Sequence, residues 1–296
     1  MVTTLAGLPG ETGFADGIGS AAQFNSPQGV AVDLAGNVYV ADSGNNAIRK
    51  ITPDEAVSTL AGSPGNFGLA DGPGSTAGVR APIGLAANHV GNIYAADGNN
   101  LIRKITPDGM VSTLAGCSGC LPSADGPAAA AGFGQPRALA PDNVGNVYVA
   151  DTSDLTIRKL TAAGIVTTLA GSQLAGFANG TGPTVRFNQP SALAVDSAGN
   201  IYVADTLNGT IRKGWPFGTG PDAETHIAVS RVGPSMLMQV PTINGCTYQL
   251  QASGSLTPPA WTNAGAPQFG YGYVLTFTNS AKSAPLGSYR VQFTAP

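Results

Sequence analysis

The segment Asn37-Val38-Tyr39-Val40-Ala41-Asp42 recurs three more times along the chain, with few changes. The further copies lie at 92–97, 146–151 and 200–205, so the spacing is 54 or 55 residues. Two other signatures keep this period: Thr-Leu-Ala-Gly at 4–7, 59–62, 113–116 and 168–171, and Ile-Arg-Lys at 48–50, 102–104, 157–159 and 211–213. Self-similarity at a fixed period of this length indicates a solenoid, a propeller or another repeat array.

Each repeat predicts four short strands, which we call a to d. In the first repeat they cover residues 28–32, 38–41, 47–51 and 57–61. The a-to-b turn carries Gly36, which tolerates positive φ, and the c-to-d turn carries Pro53, which presets φ. Four antiparallel strands per repeat predict an all-β fold, a β-propeller of four four-stranded blades.

The two ends of the repeat region predict how the ring closes. The chain begins with a d strand, Val2 to Ala6, and its fourth repeat breaks off after strand c at Lys213. Residues 2–6 are therefore expected to complete the blade built from 187–213, which would remove two exposed sheet edges. The alternative is that the four repeats form an open arc.

The periodicity stops after Lys213 and predicts a change of domain. Residues 214–224 are rich in glycine and proline and are interpreted as a linker between the propeller, 1–213, and a second module, 225–296. Segments such as Tyr248 to Ala252 alternate with period two in that module, which predicts a small antiparallel β-sandwich.

Composition limits the classes of partner. Charged residues make up 10% of the chain, and the net charge is −3 without a basic block, so nucleic acid is not an expected partner. No run of 18 apolar residues is present, so membrane insertion is not expected. No signal peptide is evident after Met1 and no cofactor is expected; these features do not determine the oligomeric state.

Three cysteines leave several interpretations open. Cys117 and Cys120 are close enough in sequence for a small loop disulfide, and Cys246 stands apart. Two plain thiols, or metal or redox chemistry, are the alternatives, but a lone CxxC pair is weak evidence for a metal site.

Every strand b ends in aspartate, and an arginine follows six or seven residues later in strand c. Across a b–c hairpin these side chains come close enough to form a structural pair, and direct contact with a ligand is the alternative. The predicted pairs are Asp42 with Arg49, Asp97 with Arg103, Asp151 with Arg158, and Asp205 with Arg212.

These motifs resemble the NHL repeat, especially the longer bacterial type in which an Ala-Asp-Gly loop follows Thr-Leu-Ala-Gly. The matching loops are 15–17, 70–72 and 124–126, and Ala178-Asn179-Gly180 departs from the pattern. The resemblance covers residues 1–213 and implies a propeller that commonly serves as a binding platform. Propellers of this family usually have more blades than the four repeats present here.

The second module resembles compact C-terminal modules of secreted bacterial repeat proteins. The matching residues are Tyr248 to Ser253, Trp261-Thr262-Asn263 and Tyr289-Arg290-Val291. The resemblance implies a place outside the cell or at the cell envelope. Trp261 is interpreted as a packing residue, with a platform for stacking a carbohydrate as the alternative.

The long d-to-a loops and the b-to-c turns should emerge on one side of the array, because alternate strands reverse direction. These segments vary most between repeats, and functional loops usually project from a rigid scaffold. We expect this loop face to bind a protein or glycan ligand without catalysis. The candidate ligand-binding residues are Asp16, Asp71, Asp125, Asn179, Asn45, Asn99, Asp154 and Asn208.

The alternative function is a metal-dependent lyase or hydrolase that acts in the central channel. Propeller enzymes that resemble this fold include amidating lyases, which rely on histidine ligands, and gluconolactonase-like hydrolases, which use a central Glu/Asn/Asp metal site. The chain has two histidines, His89 and His226, in different predicted domains, and its glutamates lie in loops or the linker. No catalytic residue and no metal ligand is therefore predicted.

Overall fold

A computed structural model describes residues 1–119 and 123–214, together with the backbone of seven strands between 228 and 294. The chain divides into two compact units, Met1–Gly214 and Trp215–Pro296. Within the described residues the helices are three 3-10 turns, Gly19–Ala21, Ser43–Asn45 and Thr206–Asn208. None of the described helices is long and apolar enough to cross a membrane.

The first unit consists of four antiparallel sheets, one for each repeat, which we call blades 1 to 4. The sheet of blade 1 has the order β1-β5-β4-β3-β2, in which β2 to β5 correspond to the predicted strands a to d. The remaining strand, β1, is short, comes from the long loop before the blade, and pairs with β5 at the edge of the sheet. The bounds are β1 Gly17–Ile18, β2 Pro27–Val32, β3 Val38–Asp42, β4 Ala47–Ile51 and β5 Ala56–Gly62.

Blades 2 and 3 repeat this five-stranded order, whereas the sheet of blade 4 has three strands in the order β16-β17-β18. Blade 2 contains β6 Gly72–Pro73, β7 Leu85–Ala87, β8 Ile93–Asp97, β9 Leu101–Ile105 and β10 Met110–Ala115. Blade 3 contains β11 Gly126–Pro127, β12 Pro136–Pro141, β13 Val147–Asp151, β14 Thr156–Leu160 and β15 Ile165–Gly171. Blade 4 contains β16 Pro190–Val195, β17 Ile201–Asp205 and β18 Thr210–Gly214. The predicted all-β fold with four propeller blades is confirmed.

Local hydrogen bonds explain why the a-to-b turn recurs. Asp33 Oδ1 accepts hydrogen bonds from the N–H groups of Ala35 and Asn37, each at 2.9 Å. Gly36 adopts φ +82°, a region in which a side chain would be strained. Tyr39 OH donates to Asp33 Oδ2 at 3.0 Å, so strand b is tied to the turn that precedes it. Burial, together with this hydrogen bond, raises the pKa of Tyr39 to about 12.

Adjacent blades pack through two faces that we name by their neighbours. The trailing face of a blade packs on the next blade, and the leading face packs on the previous one. Between blades 1 and 2 the trailing residues Tyr39, Ile48 and Ala61 pack against a leading set that includes Ile93 and Ile105. The hydrophobic core of the first unit therefore lies mainly between blades.

The strands corresponding to strand a approach one another at backbone level. A Cβ atom on Gly29 would lie 2.2 Å from Ile83 O, and one on Gly84 would lie 2.1 Å from Arg137 O. Such distances leave no room for a side chain, so glycine at these positions sets how closely neighbouring blades approach.

The expected pairing of Val2 to Ala6 with blade 4 is not found in the structure. Residues 2–6 form no strand, and the sheet of blade 4 ends at β18 without a d strand. Gly7 N instead donates to Gly19 O at 3.1 Å, which holds this segment at blade 1. Val30 on blade 1 is 66% exposed and Ile211 on blade 4 is 75% exposed, because the two end blades do not cover each other. The described blades form an open arc.

The second unit has two antiparallel sheets in its described part. One has the order β19-β20-β24, and in the other β21 pairs with β22, β23 and β25. The bounds are β19 Ala228–Val232, β20 Ser235–Pro241, β21 Thr247–Ser253, β22 Thr262–Asn263, β23 Gln268–Phe269, β24 Val274–Ser280 and β25 Ser288–Thr294. The predicted sandwich packing of this unit and the predicted role of Trp261 both lie outside the described residues, so they stay predictions.

Candidate functional site

A buried arginine in each repeat ties the long loop to strands b and c. Arg49 is fully buried, and its Nη1 lies 2.9 Å from Asp42 Oδ2 and donates to Gln23 O at 2.9 Å. Its Nη2 donates to Ala15 O at 2.7 Å and to Asp16 Oδ1 at 2.6 Å. Arg49 therefore connects a buried carboxylate at the end of strand b to the long loop before the blade.

The same contacts recur in the other three repeats. The arginine contacts the aspartate of strand b at 3.4 Å for Arg103–Asp97, 3.3 Å for Arg158–Asp151 and 2.9 Å for Arg212–Asp205. It contacts the long loop at 2.9 Å for Arg103–Asp71, 2.7 Å for Arg158–Asp125 and 2.8 Å for Arg212–Asn179. A buried charge requires such partners, because an unpaired one is strongly destabilising.

An aromatic ring covers this arginine on one side or both in three repeats. The guanidinium carbon of Arg49 lies 4.8 Å from the ring centre of Phe14 and 5.2 Å from that of Phe24. Arg212 is held similarly by Phe177 at 4.6 Å and Phe187 at 5.2 Å. The third repeat keeps the second ring, with Arg158 5.2 Å from Phe133.

The first ring position is not aromatic in every repeat. Phe14 aligns with Leu69, Ser123 and Phe177, so the third repeat carries a small hydroxyl side chain where the first and fourth carry phenylalanine. Because serine cannot cover the guanidinium of Arg158, a polar depression opens at this point on the loop face.

The depression, which we call the Arg158 pocket, has a volume of about 310 Å³. Asp125 stays 48% exposed at its edge although it pairs with Arg158. Thr156 is 6% exposed, and its Oγ1 has no hydrogen-bond partner within the described structure. The lining residues are Ser123, Asp125, Asp154, Thr156, Arg158, Thr168, Gly171, Ser172 and Gln173.

A second depression of about 210 Å³ is lined in part by residues of the same b-to-c turn. Its lining residues are Gln135, Arg137, Thr152, Ser153, Leu155 and Gln189. Asp154 lies between the two depressions in the chain and contacts Ser123 through its Oδ2. The 152–155 turn of the third repeat therefore contributes residues to both depressions.

Two carboxyl groups interact at this turn. Burial, and to a lesser extent the negative charge of Asp154, raise the pKa of Asp151 to about 6. Hydrogen bonds from the N–H groups of Gln135 at 2.9 Å and Gly134 at 3.0 Å act in the opposite direction, as does Arg158. Asp154 therefore places a second negative charge beside a buried carboxyl group.

The candidate residues of the long loops have structural partners. Asp16 accepts hydrogen bonds from Thr59 N at 3.2 Å and Thr59 Oγ1 at 3.0 Å in addition to its contact with Arg49. Asp71 and Asp125 contact Thr113 and Thr168 in the same way. These carboxylates hold the loop to strand d, and about half of each side chain remains exposed.

The candidates of the b-to-c turns differ from one another. Asn45 Nδ2 donates to Gly13 O and Asn208 Nδ2 donates to Gly176 O, each at 2.7 Å, so these asparagines join the two loop sets on one side of the blade. Asn99 Oδ1 accepts from Arg80 at 3.1 Å. Asp154 is the candidate that lines a depression without contacting the repeat arginine in the described structure.

Sequence reasoning missed Ser123 and Thr156. The available signal for Ser123 was the change from phenylalanine or leucine to serine directly before an otherwise constant Ala-Asp-Gly or Ala-Asn-Gly loop. Thr156 carries no comparable signal, because the burial of its hydroxyl depends on the surrounding loops.

Cys117 is disulfide-bonded. Both other cysteines, Cys120 and Cys246, lie outside the described residues, so the predicted pairing with Cys120 stays a prediction. Cys117 itself belongs to the long loop of the third repeat, which also contributes Ser123 and Asp125 to the Arg158 pocket.

The residues considered for metal chemistry are not brought together in the described structure. His89 is exposed in an a-to-b turn, and His226 lies outside the described residues. Among the described residues, no three side chains of His, Cys, Asp or Glu are grouped so that they could hold a metal ion.

Comparison with known proteins places these features in a family. The NHL repeat family model matches residues 24–51 and 187–213. NHL repeat-containing protein 2 of Homo sapiens is 31% identical over 236 residues, which cover 67% of this chain and 32% of that protein. Teneurin-4 of Homo sapiens is 31% identical over 232 residues, which cover 66% and 8% of the two chains.

Protein SUPPRESSOR OF QUENCHING 1, chloroplastic, of Arabidopsis thaliana is 28% identical over 280 residues, which cover 70% of this chain and 26% of that protein. The chain thus spans about a third or less of the length of these relatives.

A protein of unknown function from Bacteroides thetaiotaomicron VPI-5482 has a similar solved structure, with 28% identity and a TM-score of 0.54 over 64% of this chain and 47% of that one. An auxiliary nutrient binding protein from the same organism shares the fold at 20% identity, with a TM-score of 0.53 over 66% and 48% of the two chains. The repeat sequence, the blade topology and these similarities show that the chain belongs to the NHL-repeat β-propeller proteins.

Proposed function

We propose that this protein is a non-catalytic binding scaffold whose loop face holds a protein or glycan ligand at the cell envelope or outside the cell. The observation that carries the proposal is the Arg158 pocket. It lies on the face where the long loops and the b-to-c turns meet, and it occurs where the third repeat departs from the common pattern.

The chemistry of the pocket favours a ligand rich in hydroxyl groups. Asp125 and Asp154 offer carboxylate oxygens, which accept hydrogen bonds from hydroxyl groups. Ser123, Thr156 and Gln173 add groups that both donate and accept. A glycan supplies hydroxyl groups at this density, so we favour it over a peptide for the pocket itself.

The position of the pocket also supports one asymmetric ligand over four equal ones. In the first and fourth repeats the corresponding arginine has a phenylalanine over it, and the hydroxyl side chain occurs at Ser123. A ligand that enters this depression would meet a different surface at the other repeats. The variation among the long loops then serves to distinguish ligands.

Two observations support the proposed cellular location and the proposed binding role. Disulfides persist in oxidising environments such as the periplasm and the cell exterior, and Cys117 is disulfide-bonded. The auxiliary nutrient binding protein shares the fold, which shows that such a propeller is compatible with a binding role.

The test combines a ligand-binding screen with a substitution at Ser123, the position that is phenylalanine in the first and fourth repeats. Glycan and peptide arrays would first identify a ligand for the purified protein. Ser123→Phe would then restore the ring seen at Phe14 and Phe177 and fill the pocket, so we expect at least about a tenfold loss of affinity, roughly 1.4 kcal/mol. Phe177→Ser in the fourth repeat is the matched control and should leave the affinity unchanged.

Asp54→Asn, in a c-to-d turn on the opposite side, is a second control that should not affect binding. Equal affinity of Ser123→Phe and the unmodified protein would show that the ligand binds elsewhere. Loss of binding in the Asp54 variant alone would show that the opposite side is the recognition surface.

A further inference from the structure

The second depression differs from the Arg158 pocket in charge. Arg137 is the charged residue in its described lining, and the other lining residues are glutamine, threonine, serine and leucine. The Arg158 pocket, in contrast, has carboxylates beside a guanidinium group that is already paired. A negatively charged group would therefore be attracted to the second depression and repelled by the aspartates of the pocket.

Arg137 is peculiar to the third repeat. It lies near the start of strand β12, where the other repeats have Gln28, Ile83 and Ser191. The residue is exposed, and within the described part of the chain its guanidinium group has no ion pair. A guanidinium group presents five N–H donors in a plane, an arrangement that suits the two oxygens of a carboxylate. Arg137 is therefore a cation that a ligand can reach.

Leu155 is a second departure from the repeat at the same depression. It has φ +59°, a left-handed conformation that strains most residues with a side chain. The equivalent positions have the same conformation but carry residues that tolerate it better, namely Asn46 at φ +53°, Asn100 at φ +63° and Gly209 at φ +62°. The third repeat therefore has a strained leucine at this turn, and backbone strain of this kind concentrates at functional sites.

The leucine also removes a hydrogen bond between blades. Asn46 Oδ1 accepts from Ala81 N at 2.9 Å, which joins the b-to-c turn of blade 1 to the segment before the inner strand of blade 2. On blade 4, Gln189 occupies the place of Ala81, with φ +54° against +36°. Leu155 has no side-chain polar atom to accept the equivalent bond, so the backbone N–H of Gln189 is left for a ligand.

Hydrogen bonds position the other polar residues of the depression. Thr152 Oγ1 donates to Pro190 O at 2.6 Å, which fixes the turn to blade 4. Ser153 Oγ donates to Gln135 Oε1 at 3.1 Å, so the side-chain NH2 group of Gln135 remains to donate to a ligand. The depression therefore combines a guanidinium group with amide donors around a fixed turn, which is a surface suited to an anion.

We propose that the second depression is a carboxylate subsite and that the ligand is an acidic glycan that contains uronic acid residues. The inference rests on the proposed function, in which the Arg158 pocket holds hydroxyl groups of the same glycan. Residues 152–156 contribute to both depressions, so one chain of sugars can contact both. Arg137 attracts the carboxylate and Asp154 repels it, so charge fixes the orientation of the ligand.

A panel of uronic acid oligosaccharides, each paired with its methyl ester, tests the proposal with the chain 1–296. Each ester keeps the hydroxyl groups of its acid but not the charge. By isothermal titration calorimetry, at least one acid should bind about tenfold more tightly than its ester, and added salt should reduce this preference. Arg137→Gln should lower the affinity for the acid to that for the ester and leave the ester unaffected.

Three further variants serve as controls. Arg137→Lys keeps the charge without the planar fork and should retain part of the preference. Lys104→Gln removes a positive charge on blade 2, opposite Tyr94 in the sheet, and should bind both ligands like the unmodified protein. Ser123→Phe fills the Arg158 pocket and should weaken the acid and the ester alike. Circular dichroism would verify that all variants keep their strand content.

The outcomes separate this proposal from the proposed function. Equal affinity for acid and ester, with both weakened by Ser123→Phe, overturns the carboxylate subsite and leaves the Arg158 pocket as a binding site. A preference for the acid that persists in Arg137→Gln means that the charge is recognised elsewhere and also overturns the subsite. Binding of an acidic peptide, but of no acid in the panel, means that the ligand is not an acidic glycan. If no acid binds, the proposal is wrong, and the array screen decides the proposed function independently.

Discussion

Asp154 differs from the equivalent residues of the other b-to-c turns, which bond to a backbone carbonyl of the long loop or to an arginine. It lines the Arg158 pocket and lies near the buried carboxyl group of Asp151, whose pKa is raised to about 6 by burial and by the charge of Asp154. A carboxyl group whose pKa is higher in the folded than in the unfolded state favours folding when it is protonated. Its contribution to stability is lost as the pH rises from about 4, the usual pKa of aspartate, through 6.

We therefore expect Asp154→Asn to lower the pKa of Asp151 and to stabilise the fold at pH 7, because a like charge is removed. The gain should be on the order of 1 kcal/mol and should vanish below about pH 4. Thermal unfolding at several pH values and a carboxyl-carbon NMR titration would measure both effects, with Asp54→Asn as an exposed control. A gain that is independent of pH would argue against this coupling.

The arginines give a matched comparison at the same scale. Arg103 is fully buried between Asp97 and Asp71, whereas Arg212 at the open end is 11% exposed and pairs with one aspartate. Arg103→Ala leaves a buried carboxylate unpaired and should cost about 3–5 kcal/mol in the free energy of unfolding. Arg212→Ala should cost clearly less. Equal losses in urea titrations would show that burial does not set the difference.

At the scale of the element, the distance between neighbouring inner strands depends on single glycines. The Cβ of an alanine at Gly84 would meet the carbonyl oxygen of Arg137 at 2.1 Å, and backbone cannot move aside as a flexible side chain can. The equivalent residue on blade 4 is Ala192, which is exposed because no blade follows it. The two positions share a place in the repeat but differ in their surroundings.

Gly84→Ala is accordingly expected to destabilise the fold by about 1–3 kcal/mol through overpacking. Ala192→Val, which adds more volume at the equivalent exposed position, should change stability by less than about 0.5 kcal/mol. Chemical unfolding monitored by circular dichroism measures both. A neutral Gly84→Ala variant would mean that blades 2 and 3 can shift apart at little cost.

At the scale of the whole molecule, the end of the repeats coincides with the end of the first compact unit. That unit ends at Gly214, one residue after the last repeat signature. We propose that residues 225–296 fold separately from the propeller. Limited proteolysis should then cut first between 214 and 224 and release two fragments that resist further digestion. A single resistant fragment that spans this segment would contradict the boundary.

Much of the fold could be predicted because it depends on local pattern. Strand positions follow from repeated apolar segments such as Val38 to Ala41, and the a-to-b turns follow from residues such as Asp33 and Gly36, whose hydrogen bonds and φ angles are local. The candidate site was harder to predict. Asp16 and Asp154 look equally suited to bind a ligand in the sequence, but one holds an arginine and the other lines a pocket.

The sequence by itself determined the all-β class, the four blades and the side on which the variable loops lie, because hydrophobic period and turn chemistry act over a few residues. Only the tertiary structure decided that the blades form an open arc and that the pocket opens beside Arg158. The rotation between blades results from packing across every interface, as at Gly29 and Gly84, so a strand count cannot predict closure. The pocket likewise depends on a ring missing at Ser123 and on loops distant in sequence that meet around it.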